Sequence, residues 1–315
     1  MTDWISVNFL SKSHQVNYLL LTIKESSLKA YQARFARVVD YIEENLDRSV
    51  NVEELCKLVH LSKFHFHRQC STAFGLPIMA VVKLLKLKRA AFQLAYRNEK
   101  KIVDIALASG YESHEAFSRA FKKHFLATPS AFRKTPDWST WQLNYQPILE
   151  MRAKLMDNKT EYSVEITHFP QTLIAVLEHR GSPASLGQSI SKFIAWRKMH
   201  NLPPNKSRTF NLIYDDPSNT PAEQFRFDLA CAVKTKVIDD NYGIVTKVIP
   251  QGKCAKISYI GSDDTIGVAV DYLYSHWLAN SDYELRDFPL FFQRVSFFPE
   301  VAEHQMITDI YLPIE

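Results

Sequence analysis

At 315 residues, 46% hydrophobic and 23% charged, the chain has the make-up of about two ordinary globular domains, which excludes collagen, wholesale disorder and a disulfide-dense miniprotein. Only 8 residues are glycine, and no glycine-rich phosphate-binding motif occurs. The net charge of +4 hides an asymmetry: residues 29–136 carry 19 Lys+Arg against 10 Asp+Glu, and 137–315 carry 17 against 22, so a polyanion partner is expected for the first part alone.

Residues 1–28 read as a charge-balanced N-terminal extension. Asp3 and the lack of an early basic cluster argue against a signal peptide. No apolar run approaches the ~18 residues of a membrane helix, so no membrane partner is expected. Cys56, Cys70, Cys231 and Cys254 form no CxxC pair and lack zinc-ligand spacing. They read as reduced thiols of a cytoplasmic protein.

Residues 29–136 are helical in pattern. Phe35, Val38, Val39, Ile42 and Leu46 recur at helical spacing. Asn51 with Glu54 resembles a helix-start capping pattern. Residues 79–97 form a long basic amphipathic stretch. The pattern weakens over 137–160, which reads as a linker. From 161 to 315 the texture is α+β. Strands are predicted at Ser163–Ile166, Thr172–Leu177, Phe210–Ile213, Phe225–Val233, Gly243–Ile249, Lys253–Tyr259 and Ile307–Ile314. Helices are predicted near 184–200 and 264–279.

Each half contains a repeat. In the first, Ser62, Phe66, Arg68, Cys70 and Phe74 align with Ser113, Phe117, Arg119, Phe121 and Phe125. Each copy reads as helix, tight turn, helix. Phe66, Cys70 and Phe74 share one helical face, as do Phe117, Phe121 and Phe125, and these are the expected buried stripes. Ser62 and Ser113 occupy N-cap positions. Away from the stripes lie Lys63, Phe64, His67 and Arg68 in one copy, and His114, Glu115, Ser118 and Arg119 in the other. A recognition helix needs this division: an apolar anchor behind, cationic and hydrogen-bonding groups facing base edges and phosphates. Glu115 either accepts from a cytosine amino group or repels phosphate. Lys122 is placed for a phosphate.

These residues, with Ile105-Ala106, Gly110-Tyr111-Glu112-Ser113 and Thr128-Pro129-Ser130, make 29–136 resemble the DNA-binding module of AraC/XylS-family transcription regulators. The resemblance implies two helix-turn-helix units held by the long helix at ~79–97. A monomer would then read two adjacent half-sites on double-stranded DNA. It also makes RNA polymerase a further candidate partner. Cys70, Leu126 and Val81 depart from the family pattern at packing positions.

In the second repeat, Ala175, Gly181-Ser182, Leu186-Gly187 and Ile190 align with Ala255, Gly261-Ser262, Ile266-Gly267 and Val270, each 80 residues on. Two such halves suggest a pseudo-two-fold cleft. With Tyr214-Asp215-Asp216-Pro217, Thr220-Pro221-Ala222-Glu223 and Thr308–Ile314, this half resembles the GyrI-like effector-binding domain. That implies an aromatic-lined cleft for a small amphipathic effector, with Trp196, Tyr214, Trp277, Phe291 and Phe292 as candidate walls. Relatives often place a glutamate after Pro-x-Phe. Here Phe292 or Gln293 stands there, so the sequence leaves open a neutral effector, or an anionic one near Arg294.

The expected fold class is therefore multidomain: an all-α tandem helix-turn-helix domain followed by an α+β duplicated GyrI-like domain. No cofactor, metal site or catalytic residue is expected. Ser189 and Lys192 have SxxK spacing without companion motifs. The expected function is a DNA-binding regulator modulated by an effector. The rival is a small-molecule hydrolase or sequestering protein with a DNA-tethering module.

Overall fold

The computed structural model describes residues 31, 33–156, 161–216, 219–237 and 241–315. The expected 1–28 extension and Pro217 lie outside them.

The N-terminal half is helical. Helix α1 covers 33–44 and is followed by α2 (Val52–Leu58), α3 (Lys63–Phe74), α4 (Ile78–Tyr96), α5 (Ile102–Ala108), α6 (His114–Phe125), α7 (Pro129–Lys134) and α8 (Ser139–Met156). The stripe Phe35, Val38, Val39, Ile42 and Leu46 is buried, as its period requires. So are Phe66, Cys70, Phe74, Phe117, Phe121 and Phe125. Buried Cys70 and Val81 are simply absorbed into this core.

Side-chain oxygens start the helices. Asn51 accepts from the Glu54 N–H at 2.9 Å, Ser62 from His65 at 3.4 Å, Ser113 from Ala116 at 3.1 Å and Thr128 from Ala131 at 3.2 Å. The two helix-turn-helix turns close alike. His60 (φ 53°) and Gly110 (φ 79°) are left-handed. The following N–H groups, of Leu61 and Tyr111, donate to Cys56 and Ala106 carbonyls five residues back. The 19 residues of α4 span about 28 Å and join the two units.

The expected linker is instead the helix α8. Pro147 inside it and polar residues interspersed along its sequence blur its helical period. Tyr145 and Ile148 complete the N-terminal core, and α8 packs against both α3 and α6.

The C-terminal half is one eight-stranded antiparallel sheet in the order β1-β6-β8-β7-β3-β4-β2-β5. The strands are β1 (Glu165–Phe169), β2 (Thr172–Arg180), β3 (Thr209–Ile213), β4 (Arg226–Ala232), β5 (Ile244–Ile249), β6 (Gly252–Ile260), β7 (Leu290–Arg294) and β8 (Ile307–Pro313). Strand β7 was not among the predicted strands. Each half runs strand, strand, helix, strand, strand. The helices are α9 (Leu186–Met199) and α10 (Ile266–Tyr272). The leading strands are exchanged: β1 pairs with β6 and β5 with β2, which ties the halves together.

One sheet face is covered by the helices. Phe193 and Trp196 of α9 sit on Ala175, Leu177, Leu229 and Cys231. Ile266 and Ala269 of α10 sit on Tyr259, Leu290, Phe292 and Ile310. The apolar cluster of the other face contains strand residues such as Ile174, Val176, Phe210, Phe291 and Tyr311 and, among the described residues, no helix.

The two halves touch along α1, α4 and α8. Phe92 meets Phe298 edge-on at 4.9 Å, and Gly187 lies against Trp138, where a Cβ would fall 2.9 Å from the indole nitrogen. Beside these contacts lies a set of charges, with Lys88, Arg152, Glu43 and Glu303 buried and Asp264 at its exposed rim. Lys88 Nζ is 2.8 Å from Glu303 and 3.3 Å from Asp264. Arg152 Nη1 is 3.1 Å from Glu303, and its other nitrogen pairs with Glu43.

Candidate DNA-reading helices and effector face

The expected DNA-facing residues stand on matching turns of α3 and α6. Lys63, Phe64, His67 and Arg68 are all exposed, Phe64 at 74%. With Ser71 they line one shallow concavity. In α6, His114, Glu115, Arg119 and Lys122 are exposed and Ser118 is half-buried. Behind each set the aromatic stripe is anchored, so the side chains project from a fixed helix. Exposed aromatic and guanidinium groups on such a helix can contact thymine methyls, guanine edges and phosphates.

Two of these residues have local engagements. Lys63 Nζ is 2.6 Å from Glu53 Oε1 of α2. Glu115 is held below the usual carboxylate range by its own backbone N–H and by the Ser113 hydroxyl. It is thus tied into the start of α6.

The effector candidates divide between the two faces. Tyr214, Phe291 and Gln293 belong to the face without a helix. Trp196 is wholly buried between α9, which carries it, and the sheet, and Phe292 and half-buried Trp277 belong to the α10 side. Strand alternation separates Phe291 from Phe292. These three belong to the helix-covered core, and the structure does not bring them together with the others. Arg294 also points to the helix side, where it bonds Asn211 at 2.9 Å, Thr308 at 3.2 Å and Asp263. It offers nothing to the opposite face.

Sequence reasoning missed the ionic centre of the uncovered face. Asp228, 0% exposed, accepts from Tyr214 Oη at 2.8 Å, Arg180 at 2.8 Å and Lys247 at 2.7 Å. Lys247 also meets Glu178 at 2.5 Å. Burial would lower the Lys247 ammonium, but Asp228 and Glu178 outweigh it and hold the pKa above its ordinary value. Burial, then Asp228, raises the Tyr214 phenol. Around the Tyr214 ring, Arg226, Arg180 and Lys247 lie at 5.4, 5.6 and 5.7 Å. In the other half, Asp309 accepts from Ser258 at 2.7 Å and lies 3.3 Å from Lys256. Phe291 stacks on Tyr311 between the two centres, with ring centroids 5.0 Å apart. The 80-residue repeat held the clue, because Glu178 and Ser258 fall at equivalent positions.

The profile of a GyrI-like small molecule binding domain matches residues 162–315, and that of a helix-turn-helix domain matches 55–135. The "Probable transcriptional regulator YgiV" of Escherichia coli K12 is 37% identical over 152 residues, 48% of this chain and 95% of that protein.

The chain belongs to the GyrI-like family, carried here behind an AraC-type helix-turn-helix module.

The "Right origin-binding protein" of Escherichia coli K12 is 32% identical over 101 residues, which is 32% of this chain and 35% of that protein. The crystal structure of the EcmrR C-terminal domain is similar at 18% identity and a TM-score of 0.41, covering 49% of this chain and 98% of that one. The two modules make the chain a DNA-binding transcription regulator whose GyrI-like half takes a small molecule. No single described helix is long and apolar enough to cross a membrane.

Proposed function

We propose that the chain acts as a monomer in the cytoplasm, with α3 and α6 entering successive major grooves on one face of double-stranded DNA. Arg68 and Arg119 are the principal base contacts. Phe64, His67, His114 and Ser118 shape specificity, and Lys63 and Lys122 neutralise phosphates. The observation that carries this reading is the repetition. The same serine cap, buried stripe and exposed arginine occur twice, on helices joined by one rigid α4.

Interference with 7-deazaguanine, which removes the N7 acceptor, tests it. Sensitive guanines are expected in two clusters about 10 bp apart, with Arg119→Ala silencing one cluster only. Interference in a single cluster would overturn the tandem arrangement.

On the uncovered sheet face, Tyr214 and Gln293 are the effector contacts we retain from the sequence, with the fully buried Phe291 packed beneath that face. The three cations around the Tyr214 ring pair with Asp228, Glu178 and Asp215, so these carboxylates are already engaged, which favours a neutral or anionic amphipath over a cation. Octanoate should bind more tightly than octyltrimethylammonium in calorimetric titration. The reverse order would contradict this choice.

A hydrolase reading would rest on Ser189, whose Oγ is 2.9 Å from His179 Nδ1. His179 is 3% exposed, stands on β2 facing α9, and has its Nε2 3.2 Å from the Ser182 carbonyl. That enclosure supports a structural pair, and we propose no catalytic role for it.

A further inference from the structure

The buried charges between the two halves do something the fold of either half does not require. The GyrI-like repeat supplies an internal control. Asp264 follows the Gly261-Ser262 turn, and Ala184 holds the same place after Gly181-Ser182. Glu303 opens the short helical turn before β8, and Ala222 opens its counterpart before β4. The first copy folds with alanines at both places. The acidic pair occurs only in the copy that faces Lys88 and Arg152.

The pair forms a socket. Ser262 Oγ donates to Glu303 Oε2 at 2.9 Å, which orients the carboxylate. Lys88 enters from α4 with its side chain 9% exposed, its Nζ 4.1 Å from the centre of the Tyr145 ring. Arg152 enters from α8 and links Glu303 to Glu43 of α1. Burying such charges adds little net stability compared with apolar packing, because desolvation offsets the attraction. What it adds is one permitted geometry: a shifted helix would leave a charge buried without its partner.

The gripped elements decide where the recognition helices sit. α4 joins the two helix-turn-helix units, and α8 packs on both α3 and α6. Resting on the tandem reading above, we infer that Glu303 and Asp264 of the GyrI-like domain, through Lys88 and Arg152, are positioning residues for DNA recognition. They fix the spacing at which α3 and α6 meet the duplex. The socket also lies at one end of β6 and β8, the strands that carry Lys256, Ser258 and Asp309 on the uncovered face. Anything bound there is one strand-length from the grip.

The test uses the full chain and duplexes bearing both sequence blocks at the preferred spacing, with 2 bp inserted between them, or with one block scrambled. The wild type should prefer the native spacing by tens of fold. Glu303→Gln and Lys88→Met should each lose about 10-fold on the native duplex and nearly all spacing preference, since two linked contacts gain only when their geometry matches. Binding to the single-block duplex should be unchanged, and Lys88→Arg should restore the preference. If a single variant fails to fold, Lys88→Met with Glu303→Met removes both charges together and carries the same expectation. Variants that keep the wild-type preference, or weaken equally on every duplex, would overturn the inference alone. A wild type without any spacing preference would overturn the tandem reading, and this inference with it.

Discussion

Lys63 reaches back from the first turn of α3 to Glu53 in α2, its Nζ 2.6 Å from Oε1. Both side chains are 61% exposed, so the pair contributes little to stability. Its effect falls on DNA. A carboxylate beside a phosphate-facing lysine lowers the local positive potential. Glu53→Gln is therefore expected to tighten non-specific binding and steepen the salt dependence by roughly one unit of slope. Binding isotherms across a salt series check this, and an unchanged slope would mean that Lys63 does not approach phosphate.

Arg68 and Arg119 stand six residues after Ser62 and Ser113, each exposed on its helix. Arg119→Ala should cost about 1–3 kcal/mol at one block of the site and relax the base preference there. Arg68→Ala should do the same at the other block. Lys122→Ala should instead weaken all sequences uniformly. Competition binding with single-base variants separates these outcomes.

Leu126 ends α6 in the left-handed region at φ 56° while 72% exposed. A β-carbon there costs roughly 1–2 kcal/mol, partly offset by the extra freedom of glycine in the unfolded chain. Leu126→Gly is expected to stabilise the protein by about 0.5–1 kcal/mol, read as a higher midpoint in urea. A fall in the midpoint would show that the leucine side chain contributes more than its backbone strain costs.

Glu303 and His304 set opposite pH limits on the contact between the halves. Burial alone would raise the Glu303 carboxyl, but Lys88, Arg152 and Ser262 outweigh it and hold it at about 2. That contribution is present above the ordinary glutamate range and is lost as pH falls toward about 2. His304 is raised by its hydrogen bond to Glu43, and Asp40 and Glu44 add to the shift. Its contribution is full below the ordinary histidine value near 6.5 and is lost as pH rises through the higher folded value. The thermal midpoint should therefore decline as pH rises from the ordinary histidine value through the raised folded value in the wild type, and decline less in His304→Gln. Identical curves would show that His304 does not clamp the halves.

Much of the helical half was legible because its signals are local. The caps Asn51, Ser62 and Ser113 and the stripes of α3 and α6 follow from spacing along a single helix. The linker reading failed at α8, where Pro147 and polar residues hide the period that Tyr145 and Ile148 satisfy. In the sheet, most strands were legible, but the exchange of β1 and β5 is a non-local choice between equivalent partners. The effector candidates divided because adjacent aromatics such as Phe291 and Phe292 give no alternation to assign faces. In the sequence Lys88 is one of several basic residues in the 79–97 stretch. Only its partners 176 and 215 residues away reveal it as buried.

The most direct test of the central claim is selection from a random duplex library by the full-length protein at about 150 mM salt. Two short sequence blocks about one helical turn apart are the predicted result. Binding without any motif, fading as salt rises, would reduce the helical half to an electrostatic anchor and contradict the account.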